Sequence, residues 1–188
     1  MVASGAGVPV IETQRLRLRL AEPRDADALA RLMSDGVSCR LASWPVPYTP
    51  EMALDRIEGV RQAAAAGRSL PLVIERRADG AVAGWISVSR APGDARTALI
   101  TYWLGERFHG QGLMREAAPA AMAQAFRSMD IQRVRAAVQP DNAPSLSVVR
   151  LLGMLPLGPG RIWCPARGRE EECLWFETTR AAMAATAA

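Results

Sequence analysis

Lysine is missing from this chain; all 23 basic residues are arginine. That excludes the GxxxxGK[ST] phosphate loop, whose lysine reaches the phosphates. Histidine occurs once, as His109, so a thiol nucleophile paired with an imidazole would have to use that one ring. Cysteine occurs three times, at Cys39, Cys164 and Cys173, an odd number without a CxxC pair. Such usage fits free thiols in a reducing cytosol. Cys164 and Cys173 fall where a hairpin would let them face each other, yet spacing alone does not license a disulfide. No apolar run reaches the ~18 residues of a membrane-spanning helix. The opening MVASGAGVPV lacks the basic cluster and apolar block of a secretory signal. Blocks of like charge are lacking too. The arginines are scattered among 19 carboxylates, for a net charge of +4. This argues against nucleic acid as the main partner and reads first as genome composition, since Ala is also abundant.

What is present is the composition of one globular domain. Of 188 residues, 49% are hydrophobic and 22% charged, enough to form a core without disulfides or a metal. The expected organisation is a flexible start over 1–10, one domain over 11–178 and a loose tail over 179–188. Residues 15–20, RLRLRL, alternate strictly and predict a half-buried strand. Asp25 is placed to cap a helix with Leu29, Leu32 and Met33 on one face. The loop SWPVPYTP leads to Thr49, which caps a helix from Pro50 that Gly67 ends. The period then changes. Residues 70–76 and 81–89 predict a hairpin around Asp79-Gly80, and 96–104 a third consecutive strand. A helix over 113–128, a strand over 132–138, a short helix over 142–152 and a closing hairpin (161–164 and 172–178) complete the order. Three hairpin-linked strands argue against a doubly wound fold and predict a mixed α/β domain. The crossover over 96–138 makes its two strands parallel.

The stretch Trp103-Leu104-Gly105-Glu106-Arg107-Phe108-His109-Gly110-Gln111-Gly112-Leu113-Met114 carries the chemistry. A strand ends, two glycines flank one residue, and a helix begins. Glycine lets the backbone take positive φ and approach a ligand closely. The first helical N–H groups have no intrahelical partner, and with the helix dipole they suit a pyrophosphate. A dinucleotide GxGxxG is excluded, because Arg115 stands three residues after Gly112. A second segment follows about 30 residues on, NAPSLSVVRLLGM from Asn142. Asn142 caps its helix, and Ser145 has a hydroxyl that can bond the first turn.

These two segments, HGQGLMREA and NAPSLSVVRLLGM, together resemble the GNAT superfamily of acetyl-CoA-dependent N-acetyltransferases. TQRLRLRLAEPRDADAL and SWPVPYTPEMA resemble, more narrowly, the ribosomal-protein N-terminal-alanine acetyltransferase branch. The resemblance spans roughly residues 11–178. It implies a central, mostly antiparallel sheet of about seven strands with one splayed parallel pair, flanked by about four helices. Acetyl-CoA would be the co-substrate, with no metal. Cofactor contacts would come from Trp103, Leu104, His109, Gly110, Gln111, Gly112, Leu113, Met114, Asn142 and Ser145. The family loop is written [QR]xxGx[GA]; here His109 takes its first position and Met114 its last. Leu99 stands where this branch often has Glu, and Met154 follows Gly153 where Phe is usual. Pro119 falls inside the predicted helix, where it removes a backbone bond.

The implied reaction moves acetyl from the thioester to a primary amine, a protein N-terminus or a small amine, by direct transfer in a ternary complex. The transfer needs a neutral amine, donors for the oxyanion and a donor for the leaving thiolate. Many family members protonate that thiolate with a Tyr in the second helix, but 142–152 contains none. Ser145 is the best remaining donor, with Ser147 behind it, and Asn142 joins Ser145 as a catalytic candidate. The base stays open between Glu106 and a water relay, since Leu99 cannot serve. Trp44, Tyr48 and Trp85 are candidates to line the acceptor cleft, or to pack in the core. The chain is expected as a cytoplasmic monomer or homodimer without membrane partners. The other reading is a non-catalytic acyl-CoA-binding module.

Overall fold

The computed structural model describes residues 8–41, 44–165 and 167–186. Eight strands form one sheet in the order β1-β2-β3-β4-β5-β6-β8-β7. They are β1 (Ile11–Glu12), β2 (Leu16–Leu20), β3 (Ser69–Arg76), β4 (Val82–Ala91), β5 (Asp94–Leu104), β6 (Arg133–Val138), β7 (Leu155–Cys164) and β8 (Arg169–Thr179). The helices are α1 (Ala26–Leu32), α2 (Asp35–Ser38), α3 (Pro50–Ala65), α4 (Leu113–Ser128), α5 (Ala143–Leu151) and α6 (Arg180–Thr186). Every strand pair is antiparallel except β5–β6. The mixed fold expected from the sequence is therefore present, with β1, α2 and α6 added to the predicted elements.

Register sorts the side chains onto two faces, because paired residues share a face. Leu18 pairs with Ile74, Leu72 with Ile86, and Ile86 with Tyr102. These line the face covered by α4 and α5, where Leu18, Leu72, Ile74, Ile86 and Met122 are fully buried. Val73, Trp85 and Trp103 pair across the opposite face. There the loop before α3 supplies Trp44, and Arg56 of α3 lies over the Trp44 ring at 4.2 Å.

Local signals held where the backbone decides. Thr49 accepts from the Met52 N–H at 3.3 Å, and Gly80 takes φ 69° in the β3–β4 turn. Asp25 behaves differently from the expected cap. It lies in a short 3-10 turn and gives α1 no side-chain cap. Its carboxylate accepts from both Arg19 Nη atoms at 2.7 and 2.8 Å and from the Glu22 N–H. A buried charge needs a countercharge more than a helix end needs one more acceptor. Residues 180–186, expected to belong to a loose tail, form α6. Arg180 fixes it by donating to the carbonyls of Phe126, Met129 and Ile131. Helix α4 runs through Pro119 without a break.

Candidate active site

Strands β5 and β6 pair only at Thr97–Arg133, Ala98–Val134 and Leu99–Arg135. Both continue, β5 to Leu104 and β6 to Val138, with no further bond between them. A V-shaped gap therefore opens beyond Leu99. Its β5 arm stays bonded to β4 and its β6 arm to β8, so each arm has one sheet edge facing the gap.

At the end of the β5 arm the chain turns into α4. Gly105 packs so closely on Leu32 that a Cβ would sit 2.5 Å from its side chain. Gly110 and Gly112 both take φ 72°, a region costly for residues with a Cβ. Gly112 is the N-cap of α4 and offers no side chain to it. The amides of Leu113 and Met114 thus begin a helix whose first N–H groups lack intrahelical partners. His109 folds back on β5: its Nε2 lies 2.9 Å from the Leu104 carbonyl, and since a carbonyl only accepts, Nε2 carries the proton. The Gln111 side-chain amide donates to the Arg107 carbonyl.

Arg15, which the sequence offered only as part of an alternating strand pattern, holds this loop. Its Nη1 donates to the Gln111 carbonyl at 2.9 Å, and its Nε to Glu116 at 2.7 Å. Glu116 also accepts from Thr13 Oγ and the Arg15 N–H. Burial pushes the Glu116 carboxyl up, but these bonds prevail and keep it below the ordinary carboxylate range.

The β6 arm leads through residues 139–142 into α5. Asn142 Oδ1 accepts from the Ser145 N–H at 3.3 Å, the cap expected from the sequence. Ser145 Oγ is 2.8 Å from the Tyr102 phenol oxygen, so a side chain of β5 reaches α5 across the gap. Burial pushes the Tyr102 hydroxyl up to about 12, so it keeps its proton at neutral pH. Arg115 of α4 reaches Ser147 Oγ at 3.4 Å.

On the opposite face, Trp44, Tyr48, Trp85 and Trp103 form one ring cluster. Trp44 lies 5.0 Å from Tyr48, 5.9 Å from Trp85 and 5.2 Å from Trp103 between centroids. All four are buried, and Trp103 Nε1 has no hydrogen-bond partner among the described residues. An open cavity of about 430 Å³ is lined by Thr97, Leu99, Arg135, Leu157, Pro159 and Trp175. Leu99 and Arg135 in its wall are the last β5–β6 pair. Glu106 accepts from Ser34 Oγ at 2.5 Å and so ties the β5–α4 loop to the α1–α2 junction.

Three distant segments meet above this face. Arg40 donates to Asp141 at 2.6 Å and to Gln139 at 3.2 Å. Gln139 donates to the Cys39 carbonyl and to Glu171. Arg167 donates to Glu171 at 2.7 and 2.8 Å and to the Ser38 and Leu41 carbonyls. Arg167 holds the Glu171 carboxyl at about 2, and Arg40 lowers that of Asp141. Cys164 and Cys173 are free and buried; β7–β8 register sets them opposite Arg169 and Gly160, not each other. No cluster of metal-ligand side chains occurs among the described residues, and none of their helices is long and apolar enough to cross a membrane.

Comparison with known proteins agrees with this geometry. Residues 15–155 match the acetyltransferase (GNAT) domain model. The N-acetyltransferase p20 of Bacillus licheniformis is 28% identical over 158 residues, covering 84% of this chain and 88% of p20. Mycobacterium smegmatis RimJ, solved with a CoA disulfide, superposes with a TM-score of 0.78 at 25% identity, over 93% of this chain and 88% of RimJ. RimL, a ribosomal L7/L12 alpha-N-protein acetyltransferase solved with coenzyme A, gives 0.79 at 24% identity, over 93% of this chain and 99% of RimL. The chain belongs to the GNAT acetyltransferase family.

Proposed function

We propose that this enzyme transfers acetyl from acetyl-CoA to a primary amine, with the N-terminus of a protein as the favoured acceptor class. The observation that carries the reading is the gap between β5 and β6, flanked by the glycine-bordered start of α4 and by Ser145. The pyrophosphate would rest on amides from Gly110 to Met114. His109 would fix the Leu104 end of the strand beside it. The pantetheine would lie in the gap as an added half-strand along Trp103 and Leu104. RimJ and RimL, whose structures hold CoA forms, support this cofactor, and RimL, named for ribosomal L7/L12, supports a protein acceptor.

The amine would approach from the Trp103 face, past Leu99 and Trp175, with the Trp44–Tyr48–Trp85 cluster forming the wall behind it. Its nitrogen attacks the acetyl carbonyl, and the oxyanion meets a free N–H of the β5 edge. As the C–S bond breaks, the electron pair stays on sulfur and Ser145 hydrogen-bonds the thiolate, with Asn142 holding the helix start in place. The amine proton leaves through water in the open cavity, since Leu99 offers no base and Glu106 is engaged by Ser34.

Calorimetry with acetyl-CoA, followed by thiol release in the presence of peptides with free or blocked N-termini, tests this. We expect binding, and turnover only with free N-termini. Absence of heat would reject the cofactor site. Binding without turnover by any amine would favour the acyl-CoA-binding module, the reading that Leu99 supports.

A further inference from the structure

The Tyr102–Ser145 contact deserves an explanation that packing does not supply. Tyr102 lies three residues beyond the last β5–β6 pair, on the β5 arm of the gap. Ser145 lies on α5, which follows the β6 arm. Their 2.8 Å hydrogen bond therefore joins the two arms at the depth where the thioester would sit, and this inference rests on that reading of the site.

A serine in a first helical turn ordinarily turns its proton back to a carbonyl of the preceding residues. Here a second hydroxyl competes for the same oxygen. A phenol is the stronger acid and an aliphatic alcohol the better acceptor, so the bond runs from Tyr102 to Ser145. The alternative acceptor for Tyr102, the Ser145 carbonyl, is farther, at 3.3 Å, and lies within the helix ladder. We infer that Tyr102 is a positioning residue for Ser145: it occupies one lone pair of the serine oxygen and leaves the serine proton directed into the gap. Accepting one hydrogen bond also strengthens the hydroxyl as a donor.

In the reaction, the C–S bond breaks with its electron pair on sulfur. Ser145 donates a hydrogen bond to that thiolate and keeps its proton, and Tyr102 keeps its own. No side chain changes charge. Among the described residues, Arg115 of α4 meets α5 at Ser147 Oγ, a contact that does not involve Ser145.

The first readout needs no acceptor. Coenzyme A is titrated into wild type, Ser145→Ala, Tyr102→Phe and the double variant, and the thiolate absorbance of bound CoA is followed against pH. Ser145→Ala should raise the bound thiol's pKa. Tyr102→Phe should raise it in the same direction by less, and should add nothing in the Ser145→Ala background. Turnover should fall about fivefold in Tyr102→Phe, the worth of one orienting hydrogen bond, with the KM for acetyl-CoA unchanged. If Ser145→Ala shifts the thiol and Tyr102→Phe does not, or if the two effects are independent, the inference falls while the role of Ser145 stands. If Ser145→Ala shifts nothing although CoA binds, both fall.

Discussion

The face of the sheet that carries Tyr102 draws its site groups from two short stretches, residues 102–116 and 138–147. The face that carries Trp103 assembles its own from residues 38–41 and 44–48, α3, β4, β5, β6 and the β7–β8 hairpin. On the first face the groups proposed to meet the cofactor are mostly backbone amides, placed by glycine φ values and helix caps. On the second they are side chains, placed by contacts between residues up to 129 positions apart. A site made of backbone follows local chemistry. A site made of distant side chains can change residue by residue, which suits the face proposed to take the acceptor.

The sharpest break in this comparison is Asp25→Ala. It removes the buried partner of both Arg19 Nη atoms on the Trp103 face and leaves that guanidinium bonded through Nε to Glu75. The cost should be about 3 kcal/mol, the low end for a broken buried pair because Glu75 still faces Arg19, and a denaturant midpoint should drop accordingly, although Asp25 touches neither segment of the proposed cofactor side. Next in size is Gly112→Val. A β-branched residue at φ 72° strains the loop by about 1–3 kcal/mol, so acetyl-CoA affinity should fall about tenfold or more by calorimetry while the helix content stays. His109→Ala removes the bond to the Leu104 carbonyl. It should weaken acetyl-CoA binding several-fold by calorimetry; an unchanged affinity would remove His109 from the site.

The smallest effect sharpens the contrast. Arg40→Ala opens the contact between the 38–41 segment and Asp141. It should change the acceptor KM by about two- to threefold, as exposed ion pairs are weak, and leave the CoA dissociation constant alone. The same junction should resist acid. Glu171 is depressed to about 2 by Arg167, so its contribution is present above the ordinary carboxylate value and is lost as pH falls through about 2. Acceptor KM should therefore show no inflection from Glu171 between pH 5 and 8.

Much of the cofactor side was legible in the chain itself. Gly110, Gly112 and Asn142 mark positions where only certain residues tolerate the backbone or satisfy its N–H groups, so spacing alone exposed the loop, the helix starts and the crossover. Other features were hidden for physical reasons. RLRLRL announced a strand, but alternation says nothing about which arginine meets Asp25 or which one clasps Glu116. Asp25 looked like a helix cap until burial beside Arg19 gave it a stronger partner. Residues 179–188 have little to pack by composition, and the anchoring of α6 depends on Arg180 finding three carbonyls from the α4–β6 turn. Tyr102 read as one more strand aromatic, because its partner lies 43 residues away.

The amino-acid order by itself determined the strand and helix sequence apart from β1, α2 and α6, the glycine-bordered entry to α4 and the capped entry to α5, since turns, caps and periodicity are short-range properties of the backbone. Tertiary structure alone decided how far β5 and β6 stay paired, which hydroxyl meets Ser145, and which charges join the 38–41 segment to the hairpin. Those are set by where the packed sheet brings distant side chains together, and no local pattern encodes that distance.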